Sequence, residues 1–274
     1  MSAPPYNFDA NDADVILRTP LRPGSDEFKD FRIHKPILSI ASTLFRDMFS
    51  LPQPATGDDT LPVIPVTESA EVFEIFLRLI YPLEPPAITS LQLVDDLFQL
   101  AEKYMANSVH AKLKHILVSP SFLRDDPIWV YTLACRAGLN AETELAIPLT
   151  FNINLVRDIP LTHLRMMTGE THNRLLTSHA DRRAELTSII RRAKFQTQDF
   201  SGCACGHWFY TRLRDSINLA MVEKPFLDKQ KLESCLPTTT SEESKCGLGS
   251  GCRLSERVIS EYFTRILDKA GKVG

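Results

Sequence analysis

The stretch Phe31-Arg32-Ile33-His34-Lys35-Pro36-Ile37-Leu38-Ser39-Ile40-Ala41-Ser42-Thr43-Leu44-Phe45-Arg46-Asp47-Met48-Phe49 changes its period part-way along, and that change decides the fold. From Phe31 to Lys35 apolar and polar residues alternate, so Phe31 and Ile33 share one face of a strand. From Pro36 the apolar residues recur at helical spacing. Ile37, Ala41, Leu44 and Met48 fall on one stripe, and Leu38, Phe45 and Phe49 widen it. A proline in the first turn costs no hydrogen bond, because the N–H it lacks would have no partner inside the helix. A stripe this broad predicts a buried helix.

Upstream, Asp14-Val15-Ile16-Leu17-Arg18 is a short β-branched run. A loop containing Pro20, Pro23 and Gly24 joins it to Phe31–Lys35 as a hairpin. Downstream, Leu61-Pro62-Val63-Ile64-Pro65-Val66 is strand-like, but its two prolines cannot donate to a ladder and confine it to an edge or a bulge. A helix over 70–81 places Val72, Phe76 and Leu79 on one stripe and closes at Pro82. Thr89-Ser90-Leu91-Gln92 has the form of a capping box. The helix it opens should turn Leu91, Val94, Phe98, Ala101 and Met105 inward and Asp95, Asp96, Gln99, Glu102 and Lys103 outward. A third helix near 109–118 carries Leu113, Ile116 and Leu117. This order predicts an α+β domain with a small sheet and a helical cluster.

The whole chain has 274 residues, 43 % hydrophobic and 24 % charged, which excludes a disordered or fibrous protein. The net charge of −3 excludes a generally basic, phosphate-coating chain. No apolar run approaches the roughly 18 residues of a membrane span, and Met1–Asp14 lacks the features of a signal peptide. The expected location is therefore cytoplasmic and/or nuclear, with no membrane partner. Residues 1–120 hold 10 basic and 16 acidic residues, net −6, while residues 121–274 hold 21 and 18, net +3. The shift places a domain boundary near Ser119-Pro120.

The first half resembles the BTB/POZ domain. The resemblance rests on Asp14-Val15, on His34-Lys35 with Leu38, Ser42, Phe45, Met48 and Phe49, and on Phe76 with Leu79-Ile80-Tyr81 and Ala101-Glu102-Lys103-Tyr104. It implies a flexible N-terminus over 1–12, a BTB/POZ domain over 13–119 and an α-helical region over 120–274. The layout is similar to that of fungal BTB proteins with a helical C-terminal half. BTB domains bind other proteins and typically dimerise, without catalysis, so the resemblance implies an interaction module or scaffold and a homodimer. The positions matched by Asp14 and Lys35 lie in a charged pocket near the dimer interface of the family, which makes these two interface candidates. Their bland alternative is one ion pair contributing about 0–1 kcal/mol. The short, turn-rich N-terminus argues against an exchanged N-terminal helix. Adaptors of cullin ubiquitin ligases carry an apolar-x-Glu element after the helix ending Met-Phe. Here Leu51-Pro52-Gln53 has glutamine at that place, and Val66-Thr67-Glu68 follows the next strand. A cullin adaptor and a transcriptional regulator stand as the alternative functions.

In the second half, a helix over 128–137 ends at Gly138 as a C-cap, and a partner over 141–147 stops at Pro148. Residues 157–194 hold eight basic and four acidic residues without interleaved aromatics, so a solvated helix face is favoured over nucleic-acid binding. His172 and His179 share a face but lie about 10 Å apart along a helix, too far for one metal. Cys203-Ala204-Cys205-Gly206-His207 and, about forty residues on, Cys246 and Cys252 supply soft ligands in two close groups. Cys203, Cys205, Cys246 and Cys252 could hold one structural zinc ion, with His207 competing for the fourth place. Reduced thiols and disulfides are the other readings. Helices over 208–222 and 254–267 flank the two groups. No nucleotide loop, Walker motif, His-Glu-x-x-His or Gly-x-Ser-x-Gly is present, so no enzyme is expected.

Overall fold

The computed structural model describes residues 6–51, 61–84, 86–193, 204–236 and 256–271. The chain forms two compact units, Met1–Glu142 and Thr143–Gly274.

The first unit is built on a three-stranded sheet. Strands β1 (Val15–Pro20) and β2 (Phe28–Ile33) pair antiparallel with Val15 opposite Ile33, and β3 (Val63–Pro65) pairs parallel to β1. The order β2-β1-β3 puts the proline-containing strand on an edge, as its missing donors require. Val15, Leu17, Phe31 and Ile33 are fully buried on one face. They meet Phe73, Phe76 and Leu77 of helix α3 (Ala70–Ile80), with the Phe31 and Phe73 rings 6.0 Å apart.

Between β2 and β3 the sequence predicts one helix, and the structure holds two, α1 (Lys35–Ala41) and α2 (Thr43–Ser50). Ser42 stands between them in extended geometry, ending α1 and capping α2 by accepting from the Phe45 N–H at 3.1 Å. The break resets the helical phase. Leu38 and Phe45 point into the core, whereas Ile40 and Leu44 face solvent. The predicted stripe was too broad because it summed two helices of different orientation.

Helices α4 (Leu91–Lys103) and α5 (Asn107–Leu117) follow, then α6 (Pro120–Asp125) and α7 (Pro127–Arg136). Ser90 caps α4 through the Leu93 N–H. Two positions of α4 correct the sequence reading. Asp95, expected outward, is buried and pairs with Arg136 of α7 at 2.8 Å. Met105, expected inward, adopts φ 50° and is exposed. The compact unit ending at Glu142 contains α6 and α7, and the buried pair joins α7 to α4.

Within the stretch read as a flexible N-terminus, Tyr6 and Phe8 make defined contacts. Phe8 is buried against Phe31 and Tyr81, its carbonyl accepts from Arg32 N–H at 2.7 Å, and the Tyr6 carbonyl accepts from Arg78 at 2.8 Å. The aromatic pair Tyr6 and Phe8 was the available signal.

Helix α8 (Asn140–Thr150) follows Gly138, which ends α7 at φ 67° as expected for a C-cap glycine. Pro148 does not stop α8, which continues to Thr150, whose hydroxyl donates to the Ile147 carbonyl at 2.6 Å. The second unit continues with α9 (Leu161–Met166), the long α10 (Gly169–Arg192), α11 (Ala204–Ala220), α12 (Lys229–Ser234) and α13 (Glu256–Gly271). Leu186, Ile190, Leu213, Ile217, Tyr262 and Ile266 form its fully buried centre. Arg182 turns inward from the basic stretch and donates to the Ala270 carbonyl at 3.1 Å. Cys235 is buried, and burial pushes its thiol pKa up, which keeps it protonated and unreactive.

His179 of α10 lies buried beside Phe151, 2.9 Å from the Thr150 hydroxyl. Burial pushes its pKa down from 6.5 to about 4. The unfolded chain therefore binds a proton between these two values that the folded chain refuses, so stability is full above pH 6.5 and falls as pH drops toward 4. Moving from pH 7 to pH 5 should cost about 2 kcal/mol through this residue. Urea titrations at both pH values, monitored by hydrogen exchange in α10, should show a smaller loss for His179→Gln. An equal loss in both proteins would contradict this account.

Candidate functional site

The exposed face around the α1–α2 break is assembled from local constraints. Asp14 precedes β1, where its own N–H donates to the Ile33 carbonyl at 3.0 Å. That fixes its carboxylate beside the start of α1, and Oδ2 accepts from the Lys35 backbone N–H at 3.0 Å. A carboxylate at a helix N-terminus satisfies an orphan donor and favours the helix dipole. The two sequence-predicted interface residues thus touch, but through the Lys35 backbone. The Lys35 ammonium stands 5.7 Å over the Phe49 ring, a cation–π geometry.

Beside this cap the chain exposes apolar side chains. Ile40 is 89 % exposed, and Leu44 and Met105 are also open to solvent. Met105 belongs with α2 because its carbonyl accepts from the Thr43 N–H at 3.4 Å. A methionine at positive φ is strained by about 1 kcal/mol, and the turn that imposes it brings an apolar side chain to the surface. Periodicity places Leu44 and Met105 on buried stripes and leaves Ile40 off them, so sequence reasoning did not single out these three as an exposed apolar group.

A polar lock lies behind this face. The Ser42 hydroxyl donates to the Tyr104 carbonyl, and the Phe45 and Tyr104 rings stack in parallel with centroids 4.9 Å apart. The Tyr104 hydroxyl donates to Glu68 at 2.7 Å, and Lys103 pairs with the same carboxylate. Burial works against the Glu68 charge, but hydrogen bonds from Lys103 and Tyr104 outweigh it and hold its pKa below the usual value. Burial first, and then Glu68, push the Tyr104 phenol well up, so it remains a donor. Glu68 is therefore consumed inside the fold.

Next to the lock, Tyr81 accepts from the His34 N–H at 2.9 Å, and the His34 ring lies between Tyr81 at 3.2 Å and Asp12 at 3.2 Å. Burial raises the Tyr81 pKa to about 12. These contacts tie the entry to α1 to the end of α3.

The cysteine set is only partly within the described residues. Cys203, Cys246 and Cys252 lie outside them, and Cys205 and His207 are described only as backbone in the first turn of α11. Among the described residues no group of three or more histidine, cysteine, aspartate or glutamate side chains is placed to hold a metal ion.

A family model described as BTB/POZ domain matches residues 24–121, a span that contains β2, α1 to α5 and β3. No curated protein matches the chain.

Tyr104→Phe removes the hydroxyl from a half-buried carboxylate. A hydrogen bond to a charged group contributes about 1.5–3 kcal/mol, so the variant should unfold with about 2 kcal/mol less free energy. Chemical denaturation of the full chain reads this directly, and a change below about 0.5 kcal/mol would show the lock to be dispensable.

Proposed function

The chain carries a BTB/POZ domain, a protein–protein interaction module, and from that premise we propose that it is a non-enzymatic scaffold whose BTB domain holds another polypeptide through the α1–α2 face. The observation that carries the reading is Ile40, 89 % exposed beside Leu44 and Met105 at the break between α1 and α2. A second copy of the chain is the first partner to test, because BTB domains commonly dimerise. Asp14 and Lys35 would border such a contact from the start of α1. The cullin-adaptor alternative draws no support from Glu68, whose carboxylate is held by Tyr104 and Lys103.

Fully burying an isoleucine side chain contributes about 1.5–3 kcal/mol, so Ile40→Asp should weaken self-association at least about tenfold. Sedimentation of the full chain over a range of concentrations would measure both proteins. Wild-type protein that stays monomeric at high concentration, or a variant that assembles equally well, would overturn the reading of this face as the site of self-association.

A structural zinc ion held by Cys203, Cys205, Cys246 and Cys252, with His207 as the competing ligand, forms the second part of the proposal. It is supported by four soft donors in two close groups and by Gly247, Gly249 and Gly251, which let the backbone turn without steric penalty. Purified wild-type protein should contain about one zinc per chain, and Cys203→Ser/Cys205→Ser should contain far less. Equal zinc in the two would remove the site.

A further inference from the structure

A cavity of about 360 Å³ lies within the second unit, away from any role assigned above. That volume is within the roughly 300–1,000 Å³ of small-molecule sites. Leu176, His179, Ala180 and Arg183 line it from one face of α10, their spacing of three, four and seven residues placing them in a row. The segment following α8 and the segment following α11 complete it, with Val156 89 % and Val222 56 % exposed.

Three properties of the lining restrict what fits. Its walls are mostly apolar, including Leu155, Met221 and Pro225. Two guanidiniums, Arg157 and Arg183, and one carboxylate, Glu223, are among the lining groups. Arg157 pairs with Glu223 at 3.3 Å, while Arg183 donates to the Val222 carbonyl at 3.3 Å and stays exposed, leaving one positive charge in excess. The third property is the state of His179. The Thr150 hydroxyl lies 2.6 Å from the Ile147 carbonyl and 2.9 Å from His179 Nε2; when its one hydrogen goes to the carbonyl, it accepts from Nε2–H. Nδ1 is then left as an acceptor on a side chain that lines the cavity, and burial keeps the ring neutral at physiological pH.

We propose that this cavity binds a small carboxylate with an apolar body and a hydroxyl group, the carboxylate held by Arg183 with Arg157 and the hydroxyl donating to His179 Nδ1. A carboxylate replaces the weak carbonyl contact of Arg183 with a charge-assisted one. A hydroxyl supplies the donor that Thr150 cannot.

Calorimetric titration of the full chain with three compounds separates these elements. We expect 3-(4-hydroxyphenyl)propanoate to bind with a dissociation constant of about 1 mM or tighter. Removing the hydroxyl (3-phenylpropanoate) or the carboxylate (4-ethylphenol) should each weaken binding at least about fivefold. Arg183→Gln, a surface substitution, should weaken both acids and leave 4-ethylphenol unchanged. Absence of binding by the hydroxy acid, equal affinity for all three compounds, or an Arg183→Gln protein that binds the acids normally would each overturn the proposal.

Discussion

The hydroxyl of Ser42 is the smallest group on which the first unit depends. It accepts from Phe45 N–H and donates to the Tyr104 carbonyl, so one buried side chain caps α2 and joins it to the end of α4. Without that cap the apolar run from Ile37 to Phe49 could continue as one helix, with Ile37, Ala41, Leu44 and Met48 turned to the core. With it, the chain bends in extended geometry and Leu38 and Phe45 are buried instead. Phe45 then stacks on Tyr104, whose hydroxyl draws in Glu68 and, through it, Lys103. The exposure of Ile40 and Leu44 is the other side of the same bend. Core and exposed apolar face are set by one phase change.

What the sequence made legible follows from which constraints are local. Strand alternation at Phe31 and Ile33 is local, as are the prolines that send β3 to an edge and the glycine that ends α7, and all appear as read. The break at Ser42 needs the Tyr104 carbonyl, 62 residues away, to complete its hydrogen bonds, so periodicity in a short window could not show it. Asp95 is similar. On a helical wheel it is an outward carboxylate, and only Arg136, 41 residues later, makes its burial tolerable. That pair is one of the contacts that join α7 to α4 within the compact unit ending at Glu142. Tyr6 and Phe8 also lay beyond the reach of periodicity, because they pack as two aromatics on the β2 edge and form no repeating pattern.

The resemblance pointed to Asp14 and Lys35, and the contact the structure shows between them is not a side-chain ion pair. Asp14 and Lys35 are neighbours, but the force between them is a carboxylate meeting a helix N-terminus rather than two side-chain charges. The distinction matters for what a partner meets. The Asp14 carboxylate is committed to holding α1 in place, while the Lys35 ammonium rests over Phe49. In the proposed association on this face, the free energy would come chiefly from the apolar side chains at its centre, with the charged residues setting orientation at the border.

In the second unit the same logic of incomplete satisfaction applies to polar groups. A buried histidine with one nitrogen engaged and no counter-charge destabilises the fold in acid, and an isolated phenylalanine at that position would avoid the cost. The Thr150 hydroxyl lies within hydrogen-bond reach of both the Ile147 carbonyl and His179 Nε2, so where its one hydrogen goes sets which imidazole nitrogen carries a proton. With Arg183 one helical turn further along the same face, α10 presents an acceptor and a cation separated by apolar surface. That is an arrangement a closed hydrophobic core has no reason to keep, and it selects for a ligand with a donor and an anion at opposite ends.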